Sequence, residues 1–300
     1  MIFKFCVSLA MPTTKTIGVI AILGASIMWA LEPIFVKLSF QSTDFYNTFA
    51  TRIIFCLLII TIYTLLTNPK KLVVKNKELK WLIYLSITAT LFADFVYTYA
   101  LTKVMVINAV LIGHIQPIFI VILGYFVLKS DRLTKFDYLG ILFMIFAGIF
   151  VSTKTPDNLR SLKFGTFGDL LVLFATFAWA TTAITTRKYL KELPAQVIAF
   201  YRFLFAGIIF FIYLMITHGI KIANIYQVLL GFVIGIGTIL YYEGLKRIKA
   251  AQVAALELST PFFATLLGYV VLKEFITMLQ FFGLLFLIIG IFLISKKERD

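Results

Sequence analysis

Ten stretches of roughly 20 apolar residues follow one another along this chain, separated by short polar breaks. They fall at about 17–39, 45–66, 81–101, 104–128, 136–152, 168–187, 195–217, 226–245, 250–272 and 276–295. At about 1.5 Å per helical residue, such a run matches the ~30 Å hydrocarbon core of a bilayer. In lipid every backbone polar group needs an internal partner, which leaves helices or closed barrels, and runs this long and continuous predict helices. Composition agrees, with 61% apolar and 14% charged residues against about 25% charged in a soluble domain. The expected fold is an all-α integral membrane protein with ten transmembrane helices.

Within that pattern one stretch occurs twice. Tyr97 to Lys129 reads YTYALTKVMVINAVLIGHIQPIFIVILGYFVLK, and Tyr241 to Lys273 reads YYEGLKRIKAAQVAALELSTPFFATLLGYVVLK. At an offset of 144 the two share ten identities in 33 positions, among them Pro117/Pro261 and the ends LGYFVLK and LGYVVLK. Trp29/Trp179 and Arg52/Arg202 follow at offset 150, and Gly140/Gly283 at 143. The halves are duplicates. Five spans per half is an odd number, so the second repeat enters the membrane from the opposite side. Inverted repeats with a site near the midplane are a recurring plan of secondary transporters. The expected divisions are a leader (1–16), a first five-helix repeat (17–152), an external linker (153–167), a second repeat (168–295) and a basic tail (296–300).

The net charge of +14 invites a nucleic-acid reading, but its distribution argues against one. With the N-terminus inside, inner segments carry 19 Lys/Arg and outer segments seven, while Arg52 and Arg202 lie within spans. That asymmetry predicts both termini cytoplasmic, in a multi-pass cytoplasmic-membrane protein. Cys6 and Cys56, one in the leader and one in an apolar span, suggest neither a disulfide nor a metal site. HExxH, GxSxG, P-loop and Cys/His-cluster patterns are absent from the sequence, so no catalytic residue, metal or cofactor is expected.

Ionisable groups inside a bilayer are expensive and need a partner or a wet cavity. Counted along helices, Glu32, Arg52, Asp94 and His114 lie roughly 9–14 Å below the outer edge. Arg202 and Glu257 lie at a similar depth from the inner edge, with Glu243 nearer the surface. The reading is of two polar layers along a substrate route. Arg52 would pair with Glu32 or Asp94 in an outer gate, and Arg202 with Glu257 or Glu243 in an inner one. The alternative is a set of permanent ion-pair staples that fix helix registry. His114 and Asp94 are candidates to carry a coupling proton, against a plain packing role for His114. Pro117 and Pro261 should bend two spans at matched positions, beside Gln116 and Thr260; Thr182 stands where the first repeat has Glu32. Trp29, Trp179, Tyr97, Tyr99, Tyr241 and Tyr242 are candidate cavity-wall aromatics, although single aromatics more often pack. Gly231-x3-Gly235 reads as a helix-packing face.

WALEPIFVKL with Arg52, and STPFFATLLGYVVLKEFIT-x3-QFFGLLFLIIGIFLI at the end of the chain, resemble the recurring stretches of the drug/metabolite transporter superfamily, EamA-like ten-helix type. The first copy departs from the second in having Lys129-Ser130-Asp131 where the second has Lys273-Glu274. The resemblance implies two inverted five-helix repeats, a central cavity and alternating access without ATP. Its members commonly export amino acids, related metabolites or drugs. The expected function is therefore export of a small organic metabolite, with a lipid or polyprenyl-phosphate flippase or a multidrug exporter as the alternative. Expected partners are a small-molecule substrate, membrane lipid and a coupling proton, with no nucleic acid; the protein would be a monomer or a homodimer.

Overall fold

The computed structural model describes residues 14–67, 72–128, 135–163, 165–217, 221–245, 247, 256–257 and 259–295. Every regular element among them is helical. The long helices are α1 (Thr14–Ser39), α2 (Phe45–Thr67), α3 (Asn76–Ala100), α4 (Val106–Gly113, resuming as Gln116–Leu128), α5 (Lys135–Thr153), α6 (Phe167–Tyr189), α7 (Ala195–Thr217), α8 (Ile225–Leu245), α9 (Ser259–Leu272) and α10 (Met278–Ser295), and a short helix, Pro156–Arg160, lies between α5 and α6. Seven of these, among the described residues, are long and apolar enough to cross a membrane; Tyr138–Thr153, Ser259–Leu272 and Met278–Leu293 are shorter apolar segments. Large side chains such as Leu66, Ile216, Phe262 and Phe292 face outward and are more than half exposed. A continuous apolar exterior of this kind suits lipid, not water.

Polar caps start the helices where the apolar runs begin. Asp44 accepts from the Asn47 amide at 2.8 Å. Thr166 and Asp169 form a reciprocal capping box at the start of α6, satisfying N–H groups that have no partner within the helix. Two irregularities interrupt the apolar runs. Over Ser86–Asp94 the turns of α3 widen to π geometry. The fourth run is broken at His114–Ile115, just before Pro117, because proline lacks an N–H and its ring clashes with the carbonyl four residues earlier. The stretch that precedes Pro261 includes Leu258, which lies outside the described residues.

Close glycine contacts give the helix directions. On α8, a Cβ at Gly231 would lie 2.3 Å from Phe55 Cβ, and one at Gly235 would lie 3.0 Å from Ile59 Cβ. Helices α8 and α2 therefore run parallel, and the small-residue face packs as predicted. Gly237 meets Met28 and Trp29, while Gly244 meets Ile22 and Gly18, so α8 is antiparallel to α1. Gly283 approaches the Ala147 carbonyl and Gly290 the Gly140 carbonyl, so α10 is antiparallel to α5. This last pair repeats itself. At offset 143, Gly140 matches Gly283 and Ala147 matches Gly290, so each contact is the image of the other. A pseudo-twofold axis thus passes between α5 and α10 and, by the same logic, between α2 and α7. Packing of α1 on α8 is mirrored by α6 on α3, and α1 on α9 by α6 on α4.

Candidate functional site

The helices nearest the axis bring four charged side chains together. Arg52 on α2 is 1% exposed. It donates from Nη1 to Glu32 Oε1 at 3.0 Å and to Thr98 Oγ1 at 2.9 Å, and its Nη2 lies 3.7 Å from Asp94 Oδ2. Arg202 on α7 donates from Nη2 to Asp94 Oδ1 at 3.0 Å and Oδ2 at 2.8 Å, and from Nε to Thr90 Oγ1 at 3.0 Å. Trp179 Nε1 donates to Asp94 Oδ1 at 2.8 Å. Asp94 thus receives both repeat-related arginines and the indole of α6. With two cations and two carboxylates the cluster is formally neutral, which a buried site of this size requires.

This arrangement corrects the expectation of two separate layers. Arg202 pairs with Asp94, not with Glu257 or Glu243. Depth counted along the backbone separates the two arginines, but the long guanidinium side chains reach back toward the midplane. The acids of the first repeat also have no counterparts in the second: at offsets 150 and 144, Glu32 and Asp94 correspond to Thr182 and Thr238. Thr182 turns its hydroxyl onto the Trp179 carbonyl at 2.8 Å. Both arginines therefore converge on the carboxylates of one half. Glu243 sits apart, accepting from Tyr63 and paired with Arg247.

The aromatic residues do obey the axis. Trp29 and Tyr241 have ring centroids 5.0 Å apart at 49°, and their repeat mates Trp179 and Tyr97 lie 5.2 Å apart at 53°. Tyr99 departs from its expected place on a cavity wall. It is 39% exposed and packs beside Phe45 with Lys103 over its ring. His114 lies at the break in α4, where its Nδ1 donates to the Val110 carbonyl at 2.8 Å; Gln116 and Pro117, both half-buried, begin the next segment. Thr260 and Pro261 are buried near the start of α9, with half-buried Glu257 one turn earlier. Among the described residues no group of three or more His, Cys, Asp or Glu side chains is placed to hold a metal ion.

An open pocket of about 370 Å³ lies beyond the cluster, lined by Lys37, Phe40, Thr43, Phe45, Leu101 and Thr102. Glu32, Arg52 and Thr98 stand one to two turns beneath this wall on the same three helices. Thr90 and Thr98 were not singled out as site residues in the sequence, yet their spacing from Asp94, four residues either way, places all three on one helix face. Glu274 was missed as well. Its carboxylate accepts from the Val106 and Ile107 amides at 2.9 and 3.1 Å, so the LKE ending of the second copy caps α4 of the first repeat.

The sequence pattern of the EamA-like transporter family matches residues 16–153 and again 166–296, once per repeat. The chain belongs to the EamA-like transporter family. Its relatives include the uncharacterized transporter sll1164 of Synechocystis, 28% identical over 206 residues that span 64% of this chain and 58% of that protein. An uncharacterized transporter of Methanothermobacter thermautotrophicus is 23% identical over 74% of this chain and 66% of its own length. The matched regions thus span less than two thirds of these two proteins. The uncharacterized inner membrane transporter YhbE of Escherichia coli K12 is 24% identical over 82% of this chain and 78% of its own. A chain of known crystal structure superposes with a TM-score of 0.65 at 15% identity, over 94% of this EamA-like chain and 99% of its own. The fold is therefore one already seen by experiment.

Proposed function

We propose that this EamA-like protein is a secondary transporter that exports a small organic metabolite across the cytoplasmic membrane by alternating access. On this reading all ten helices cross the bilayer as two inverted five-helix repeats, with both termini in the cytoplasm. The observation that carries the reading is the neutral four-charge cluster, which is shared between the repeats and lies beneath an open pocket. Ion pairs that join the two halves are what a rocking motion would have to break and remake. An amino acid or related compound is the first substrate class, drawn from the family resemblance. The lipid or polyprenyl-phosphate alternative has less support here, since it needs an uncommitted deep cation and both Arg52 and Arg202 are neutralised by carboxylates.

The test is uptake of a labelled amino-acid mixture into proteoliposomes, with and without an imposed pH gradient. Saturable uptake that Arg52→Ala abolishes, in protein that still elutes as a folded species, supports the reading. Uptake indifferent to the gradient removes proton coupling through Asp94 or His114. Folded protein that moves none of the mixture sinks the amino-acid assignment.

A further inference from the structure

Most acids of the helical bundle, among the described side chains, have identifiable partners. Glu32 and Asp94 are matched by the two arginines, Glu243 by Arg247, Asp169 by Lys154 and Asn108, and Glu274 by the amides of α4. Glu257 stands apart, with neither a counter-ion nor a hydrogen-bond donor among the described residues. A carboxylate held inside a bilayer without compensation is costly, so it needs a positive partner beyond the described residues or a retained proton.

Two further polar atoms point to the first possibility. Ser26 on α1 is fully buried and Thr260 on α9 is 2% exposed, and the hydroxyl oxygens of both lack a hydrogen-bond partner among the described residues. Ile22 of α1 packs with Leu256 and Tyr241. Helices α1 and α9 run side by side in the same direction, as their repeat mates α6 and α4 do, where Gly168 meets Val104 and Ile184 meets Gly124. One turn on from Ile22 and Leu256, Ser26 therefore comes level with Thr260. Thr260 itself follows Glu257 by three residues, on the same face. Trp29 and Tyr241 stand 5.0 Å apart beside this seam, Tyr242 lies 5.4 Å from Tyr241, and Tyr241 is within electrostatic reach of Glu257. The repeat mate of Glu257 is Gly113, where an added Cβ would meet nothing within 4 Å. That position borders open space in the first repeat and carries the unmatched acid in the second.

We propose that Glu257, Ser26 and Thr260 form a binding site for an organic ammonium group, walled by Trp29, Tyr241 and Tyr242. The carboxylate supplies the countercharge, the two hydroxyls accept the remaining N–H donors, and the aromatic faces favour a cation. The site deepens the transporter reading, on which its role rests, by assigning the transported solute an amine. A permanently protonated Glu257 would bind nothing of the kind, and glutamine would replace it without effect.

The experiment is a titration of the purified full chain in lipid nanodiscs, followed by tryptophan fluorescence. Phenethylammonium is the probe, with 2-phenylethanol and 3-phenylpropionate as its neutral and anionic isosteres. The expected result is a saturable change for the ammonium alone, weakened at least about tenfold in Glu257→Gln and about threefold in Ser26→Ala or Thr260→Val. Trp29→Phe should remove most of the signal and Trp81→Phe little of it. Equal affinity of the wild type and E257Q, equal binding of the alcohol, or no binding by the wild type would each overturn the site. Should E257Q fail to fold, unchanged affinity in both hydroxyl variants would overturn it as well. Transport that E257Q leaves intact would remove the site but keep the transporter. Ammonium binding lost in E257Q, in a protein that moves no solute, would keep the site and sink the transporter.

Discussion

Asp94 is the meeting point of the cluster, because two arginines and an indole share its two oxygens. Removing one partner of a buried charge pair costs about 3–5 kcal/mol, so Asp94→Thr should lower the melting temperature in detergent sharply. Its repeat mate offers a rescue. Thr238 is 8% exposed on α8, and the pseudo-twofold relates it to Arg52 as it relates Asp94 to Arg202. The exchange Asp94→Thr with Thr238→Asp should recover much of the lost stability, and no recovery would mean that the axis does not govern the cluster. Which charged residues would lie within the spans was legible in the sequence, since Glu32, Arg52, Asp94 and Arg202 stand out against apolar runs. Their pairing was not legible. Counting along a helix gives the height of a Cα but not the reach of a guanidinium, and the two layers expected from that count collapse into one.

At the scale of elements, glycines decide which helices touch. Gly231 lets the backbone of α8 approach α2 at the turn that carries Arg52, where a Cβ would sit 2.9 Å from the Arg52 carbonyl. Gly231→Leu should therefore cost most of the folded yield, measured by monodisperse recovery after detergent extraction. Gly113→Ala meets open space instead and should leave yield unchanged or gain up to ~1 kcal/mol from the lost chain entropy of glycine. The small-residue face of α8 was visible beforehand because Gly-x3-Gly has a recognised packing use. The π turns of α3 were not. Over Ser86–Asp94 the sequence SITATLFAD reads as ordinary apolar helix, and nothing in its local pattern marks the widening. The break in α4 lies between: Pro117 announces it, while the bond from His114 to the Val110 carbonyl belongs to the folded turn.

For the whole molecule, the repeat fixes an arrangement that labelling can read. In a chain with Cys6→Ser and Cys56→Ser, a cysteine at exposed Ser161 should react with a membrane-impermeant maleimide from outside intact cells. One at Glu192 should react only after permeabilisation, and the reverse pattern would turn the proposed orientation over. The sharing of Asp94 has a consequence for how such a chain arose. A protein built by doubling a five-helix unit descends from a dimer of that unit, and a symmetric ancestor needs each copy to be self-sufficient. The present copies are not. A pair of second halves would bury two arginines facing Thr182 and Thr238, each unmatched cation costing about 2.5–3.5 kcal/mol on insertion scales. A pair of first halves would hold four acids of this cluster against two arginines. With the acids on one side, neither half paired with itself would give a neutral cluster; only the two unlike halves together balance the charge.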